Sequence, residues 1–331
     1  MSIDIQTLDD PESWNSLVTA SEMATPFHLA EALDAFAAAS GTTVHRLVGY
    51  KGQEPCGAFP VFTKRMGPFT AAFSPPPNLK VAYLGPVLLN VDKLKRRRLE
   101  LRHGRFLDAC VEWLDDEHDP RFTTVRTVPR YDDVRPFIWN DYAATPRHTY
   151  VVELSRGTDE LLEAFSSDAR RNITAEYDVD YEIEQDPSAI EAMIRGATAR
   201  HAEQGEQFPI DAAFVRRLFE ELPDGAVRPV ACRVDGAFVG GQILLELGDQ
   251  AINWISVADR DVDIPVTELI DWWFMNRAVD RGVDWFDLAG ANNRRLSQYK
   301  SKFAPTLTTY YRVERGSWPV MAASKLYGRI T

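Results

Sequence analysis

The sequence predicts an α/β (α+β) protein of two similar modules, each a mixed, mostly antiparallel sheet flanked by helices. Two observations carry this. A chain of 331 residues exceeds what one hydrophobic core usually supports, so two domains are expected. The element order β-β-β-α-β can also be read along it twice.

In the first copy, His45–Phe62 reads as strand, polar turn, strand. A third strand is expected over Val81–Leu89, a helix over Leu94–Leu114 and a strand over Phe122–Val128. In the second, Val230–Glu246 reads as a hairpin turning at Asp235-Gly236, a dipeptide suited to a two-residue turn. Gln250–Val257 follows as a strand, then a helix over Pro265–Arg281 and a strand over Val283–Leu288. Pro265 suits a first helical turn, Val266, Leu269, Ile270, Trp273 and Arg277 keep helical spacing, and Gly282 can end the helix. Further helices are expected over Asp159–Ala175, Ala189–Ala202 and Ala212–Glu221. The boundary falls near Thr145-Pro146, giving modules 1–145 and 146–315.

Composition narrows the class. Hydrophobic content is 45% and aromatic content 11%, ordinary for a globular protein. No apolar run reaches the length of a membrane span. The start, MSIDIQTLDD, is acidic and lacks a signal-peptide core, so a cytoplasmic location is expected. Cys56, Cys110 and Cys232 are odd in number and widely spaced, which fits free thiols in a reducing compartment and no zinc site. The net charge is −12, from 28 Asp and 21 Glu against 29 Arg and only 8 Lys. That balance argues against broad nucleic-acid binding. An Asp-rich, Lys-poor surface suits a salt-adapted, halophilic source.

Chemistry is concentrated in Val283–Phe303, VDWFDLAGANNRRLSQYKSKF. A short strand runs into a glycine turn at Gly290. Arg294, Arg295, Lys300 and Lys302 then fall within nine residues, a crowding that points to an anionic group. The segment resembles the FDLGG…FK..F signature of the Fem-like acyltransferases, a branch of the GNAT superfamily. Pro265–Gly282 is similar to the family's P…L.W…A…G helix. Tyr150–Ile173 is similar to its V.L….E.L….R..I segment, and Thr25-Pro26-Phe27-His28 to its N-terminal motif, with His28 where Gln is usual. The resemblance implies two GNAT-like domains and a tail, 316–331, that returns to the first.

It also implies roles. Lys300, in the Tyr299-Lys300 pair that matches FK, would steady the oxyanion of the tetrahedral species in acyl transfer; without the resemblance it reads first as an exposed lysine paired with a neighbouring carboxylate. Arg170 or Arg171 would hold phosphates of the acceptor through the guanidinium fork; which of the two aligns is open, and either could pair with Asp168 or Glu176. His28 and His201 lie in regions that face substrate in relatives. Asp287 or Glu246 could act as a base, though a strand-end aspartate more often caps a turn. Arg294 and Arg295 could bind substrate, or be solvated charge. The run Lys93–Arg105 could contact tRNA or lipid-linked phosphates, or be a solvated helix face.

Absences complete the reading. There is no GxxxxGK[ST], GxGxxG, GxSxG or HExxH motif. The glycine-rich GNAT cofactor loop is replaced by Ala258–Ile264, ADRDVDI, which offers no row of bare amides to pyrophosphate. The expected function is therefore an acyl- or aminoacyltransferase forming an amide on an amine, with a cell-envelope precursor as one acceptor. No metal or tightly bound cofactor is expected, and the donor is either aminoacyl-tRNA or acyl-CoA. The alternatives are an acyl-CoA-dependent GNAT N-acyltransferase and a non-catalytic binding protein of the same fold.

Overall fold

The computed structural model describes residues 2–316. Residue contacts divide the chain into two compact units. The first runs to Arg147 and resumes at Thr309; the second is His148–Thr308. Of the expected returning tail, residues 317–331 lie outside the described residues.

The strands of the first unit are β1 (Asp4–Thr7), β2 (Thr43–Lys51), β3 (Glu54–Met66), β4 (Phe69–Ser74), β5 (Val87–Leu88), β6 (Pro120–Arg126) and β13 (Thr306–Gly316). They order as β1-β2-β3-β4-β6-β13, with β5 beside β3. The β4–β6 pair is parallel and the others are antiparallel. Helices α1 (Pro11–Val18), α2 (Ala30–Ser40), α3 (Arg96–His118) and α4 (Arg135–Trp139) accompany them. One expectation fails here. The third strand is Phe69–Ser74 and not Val81–Leu89, which meets the sheet only through a Leu84–Thr127 bridge and β5. Pro86 has no N–H to donate and Gly85 stands at φ +74°, so that run cannot sustain a ladder.

The second unit contains β7 (Ala143–Glu153), β8 (Tyr181–Gln185), β9 (Val227–Val234), β10 (Ala237–Leu247), β11 (Gln250–Ala258) and β12 (Trp285–Asp287), ordered β7-β12-β11-β10-β9-β8. Only β11–β12 is parallel among these pairs. The β9–β10 turn has Asp235 at φ +51° and Gly236 at φ +78°, the left-handed pair that a two-residue hairpin demands. Its helices are α5 (Thr158–Ala164), α6 (Ser167–Thr174), α7 (Ile190–Glu203), α8 (Ala212–Glu221), α9 (Val266–Asp280) and α10 (Arg294–Lys300).

The single helix expected over Asp159–Ala175 is instead two. Phe165 leaves helical geometry, with φ −65° and ψ 156°, and buries its ring against Trp272 and Phe303. The Ser166 hydroxyl then caps the new helix by accepting from Ala169 N. Two adjacent glycines on β10 set how closely helices approach the sheet. A Cβ on Gly240 would come within 2.6 Å of Val266 of α9, and one on Gly241 within 2.6 Å of Met193 of α7. Their side-chain positions alternate across the strand, so α9 and α7 lie on opposite faces.

Candidate active site

The site begins where β12 stops. Strand β11 has nine residues, yet β12 pairs it only at Gln250, Ala251 and Ile252. The β10–β11 register shifts just beyond, at Trp254, a bulge that bends the strand. From Asn253 onward β11 runs past the end of β12. Asp259 N bonds to Val239 O on β10, so, with alternation along the strand, the Ser256 carbonyl faces away from β10. Arg200 of α7 reaches it, donating from Nη2 at 2.8 Å.

After Asp287 the chain turns through two residues of positive φ, Ala289 (+54°) and Gly290 (+75°). The buried Asp287 carboxylate secures the turn: it accepts from Ala289 N at 2.7 Å and from Thr149 Oγ1. That hydroxyl accepts in turn from Gly290 N at 2.9 Å. Lys300 closes the turn from α10, its ammonium donating to Ala289 O and, at 3.1 Å, to Gly290 O. An ammonium has three donors, so one remains. Burial lowers the Lys300 pKa, while the carboxylates of Asp287 and Asp271 oppose that shift.

Two acids on α9 lie deeper. Asp271 is 1% exposed. It accepts from Gln242 Nε2 at 2.9 Å and Asn253 Nδ2 at 3.2 Å on one oxygen, and from Tyr299 Oη at 3.3 Å on the other. Burial raises its pKa to about 7, against the hydrogen bonds from Gln242 and Tyr299 and the charge of Lys300. Glu268, one turn earlier and also buried, accepts from Asn172 Nδ2 at 2.8 Å and Lys302 Nζ at 3.0 Å. Lys302 also pairs with Asp168 at 2.7 Å. The whole forms a polar seam joining α6, β10, β11, α9 and α10, with Tyr299 and Phe303 in edge contact. Chemically, it offers a part-buried ammonium on the Ala289–Gly290 turn and a carboxyl poised near neutrality that is bonded to Asn253, where β11 runs past the end of β12.

Residues 165–301 match the family model of the acetyltransferase (GNAT) domain. The solved structure of FemX is similar at a TM-score of 0.73 with 10% identity, covering 93% of this chain and 96% of that one. The C-terminal domain of a putative lysylphosphatidylglycerol synthetase from Agrobacterium fabrum is similar at 0.53 with 12% identity, covering 96% of both. A tandem GNAT protein from the clavulanic acid pathway is similar at 0.54 with 14% identity, covering 96% of this chain and 99% of that one. The chain has the Fem-like GNAT fold. No curated protein matches its sequence significantly.

Within this Fem-like fold the expected residues scatter. Tyr299, Lys300 and Asp287 come together in the second unit. Arg294 and Arg295 are exposed at the start of α10. Arg170 donates to Glu163 O at 2.7 Å. Arg171 is exposed, and its expected partner Asp168 is taken by Lys302. His201 is hydrogen-bonded to Ala197 O at the end of α7, against Phe208. His28 lies in the first unit, fully buried, where its Nδ1 closes a capping box with Thr25; its ring has no surface to offer a substrate. In the Lys93–Arg105 run, Arg96 pairs with Glu100 and Arg102 with Glu54.

Sequence reasoning missed Asp271, Glu268, Asn172, Gln242 and Arg200. A signal existed for two of them: Glu268 and Asp271 are acids one turn apart within the apolar run VTELIDWWFM, on a helix whose neighbouring positions are buried. Arg200 lines a pocket of about 510 Å³ with Arg195, Gly196, Phe238, Val257 and Arg260. Among the described residues no group of three or more His, Cys, Asp or Glu is arranged to hold a metal.

Proposed function

We propose that the protein transfers an acyl or aminoacyl group to an amine, forming an amide, with a phosphate-bearing cell-envelope precursor as acceptor. The observation that carries the reading is the Lys300 ammonium: part-buried, fixed on the Gly290 turn that follows β12, with one donor unspent. A carbonyl placed there would gain a preformed cation as its oxygen becomes negative, the term usually largest in acyl transfer. Arg171, exposed on α6, and Arg294 and Arg295 on α10 supply cations for acceptor phosphates.

Two features favour aminoacyl-tRNA over acyl-CoA as donor. The 258–264 loop is glycine-free, and its exposed Asp259, Asp261 and Asp263 repel a pyrophosphate. The Ser256 carbonyl of β11 is already occupied by Arg200. The match to an acetyltransferase domain model favours the acyl-CoA reading. Thermal melting with acetyl-CoA, aminoacyl-tRNA and a nucleotide-sugar separates them. A ligand at about a hundred times its Kd stabilises by roughly 2.7 kcal/mol, a shift of a few degrees. Stabilisation is expected from aminoacyl-tRNA and the nucleotide-sugar. A response to acetyl-CoA alone would overturn the donor assignment, and no response to any would make this a non-catalytic protein.

A further inference from the structure

Among the described residues, the large apolar side chains left exposed are Met66, Leu101, Ile138, Trp139, Leu296 and Leu307. Leu101, Ile138 and Trp139 all fall on the α3–α4 helix pair of the first unit. The two helices run alongside each other. Arg135 pairs with Glu100 at 3.2 Å, the Trp139 ring lies 3.7 Å from where a Cβ on Gly104 would stand, and Asn140 donates to Asp108 at 2.7 Å. Those three contacts climb α3 one turn at a time. Gly104 gives the indole a seat, yet Trp139 remains 63% exposed and Ile138 and Leu101 49% each. An apolar group of this kind on an otherwise polar surface marks a contact face.

The start of α3 beside it is cationic, while Glu100, Asp108 and Asp133 are engaged by Arg135 or Asn140. Arg97 and Arg98 lie four and three residues before Leu101, on the same face of α3. They and Lys95 are exposed and, among the described residues, make no ion pair. In a chain of net charge −12 this is a local inversion of sign. Charges beyond about 8 Å are largely screened at physiological salt, so an anionic surface in contact feels the local cations more than the distant acids.

We propose that the α3–α4 face docks on an anionic phospholipid bilayer. Trp139, Ile138 and Leu101 enter the headgroup–acyl boundary, and Lys95, Arg97 and Arg98 meet the phosphates. The aliphatic pair decides between this and RNA. Leucine and isoleucine gain nothing from a sugar-phosphate backbone, whereas an interface takes up apolar side chains and indole together. Both signals are needed, since either alone gives marginal adhesion.

The test is co-sedimentation of the full chain with vesicles of phosphatidylcholine alone and of phosphatidylcholine mixed with phosphatidylglycerol. Two variants are compared: Leu101→Ser/Ile138→Ser/Trp139→Ser, and Lys95→Glu/Arg97→Glu/Arg98→Glu, which alters no apolar residue and keeps the test valid if the first misfolds. The parent is expected to partition onto phosphatidylglycerol vesicles at least about tenfold more than onto phosphatidylcholine alone. Each variant is expected to lose about tenfold or more. Absence of binding to both vesicles overturns the proposal. So does retention of parent affinity by the charge variant. Preferential binding of a tRNA mixture that survives the triple serine change would make this an RNA surface. A drop in solution mass on the serine substitutions would make it a self-association face.

Discussion

Tyr299 and Asp271 meet hydroxyl to carboxylate at 3.3 Å, tying α10 to α9 where β11 has lost its strand neighbour. The contact gathers a phenol, a carboxyl and, through the turn it faces, the Lys300 ammonium into one buried seam. Its consequences are measurable.

Asp271 makes stability depend on pH. Its folded pKa of about 7 lies above the ordinary value of 3.8 because of burial. The folded state therefore holds a proton that the unfolded chain has released, and stability falls as pH rises from about 4 to about 7. Asp271→Asn is expected to flatten that slope. Melting temperatures of parent and variant across pH 4–8 should converge near pH 4 and separate in the variant's favour near pH 8. Parallel curves would show that Asp271 does not titrate in this window.

Lys300 has two roles to separate. As a charged donor to two backbone carbonyls its loss costs about 1.5–3 kcal/mol, so Lys300→Met should lower the denaturation midpoint. If it also stabilises the oxyanion, turnover should fall by about 10² or more at temperatures where the variant remains folded. Turnover equal to the parent's would leave Lys300 a structural clamp alone.

Glu268 holds Lys302 and Asn172 together. Glu268→Ala leaves Lys302 with Asp168 as its one carboxylate and strands the Asn172 amide beside a buried helix face, and should destabilise by about 2 kcal/mol, read by urea denaturation. Glu268→Gln, which keeps an acceptor, should cost less. Equal losses would mean that the charge, and not the hydrogen bond, is what matters.

Arg171 is exposed and unpaired with Asp168, so Arg171→Ala should leave stability within about 0.5 kcal/mol. Under the proposed function it should raise the acceptor KM more than it lowers kcat. An unchanged KM would remove Arg171 from acceptor binding.

The parts legible in the sequence were those dictated locally. The Asp235-Gly236 hairpin, the glycine turn before α10 and helices α7, α8 and α9 each announce themselves through residues a few positions apart. The Val81–Leu89 error shows the limit: β-branched and apolar content favoured a strand, but Gly85 and Pro86 deny the ladder, and Phe69–Ser74 takes the place between β3 and β6. The helix break at Phe165 was hidden for a related reason, because its cause is the packing of that ring on Trp272 and Phe303, over a hundred positions away in the chain. The seam was missed on the same grounds. Asp271 meets Gln242 from 29 residues away, and Glu268 meets Asn172 from 96; no local pattern records such partners.

Arg200 also bears on how the molecule keeps to itself. Bare backbone along a strand is a template on which another copy can add its own strand and begin a fibre. A bulky, positive guanidinium fastened to the Ser256 carbonyl occupies the acceptor that such an incoming strand would need, and like-charged copies approaching there repel. The arginine thus acts as a stopper against polymerisation along this stretch of β11.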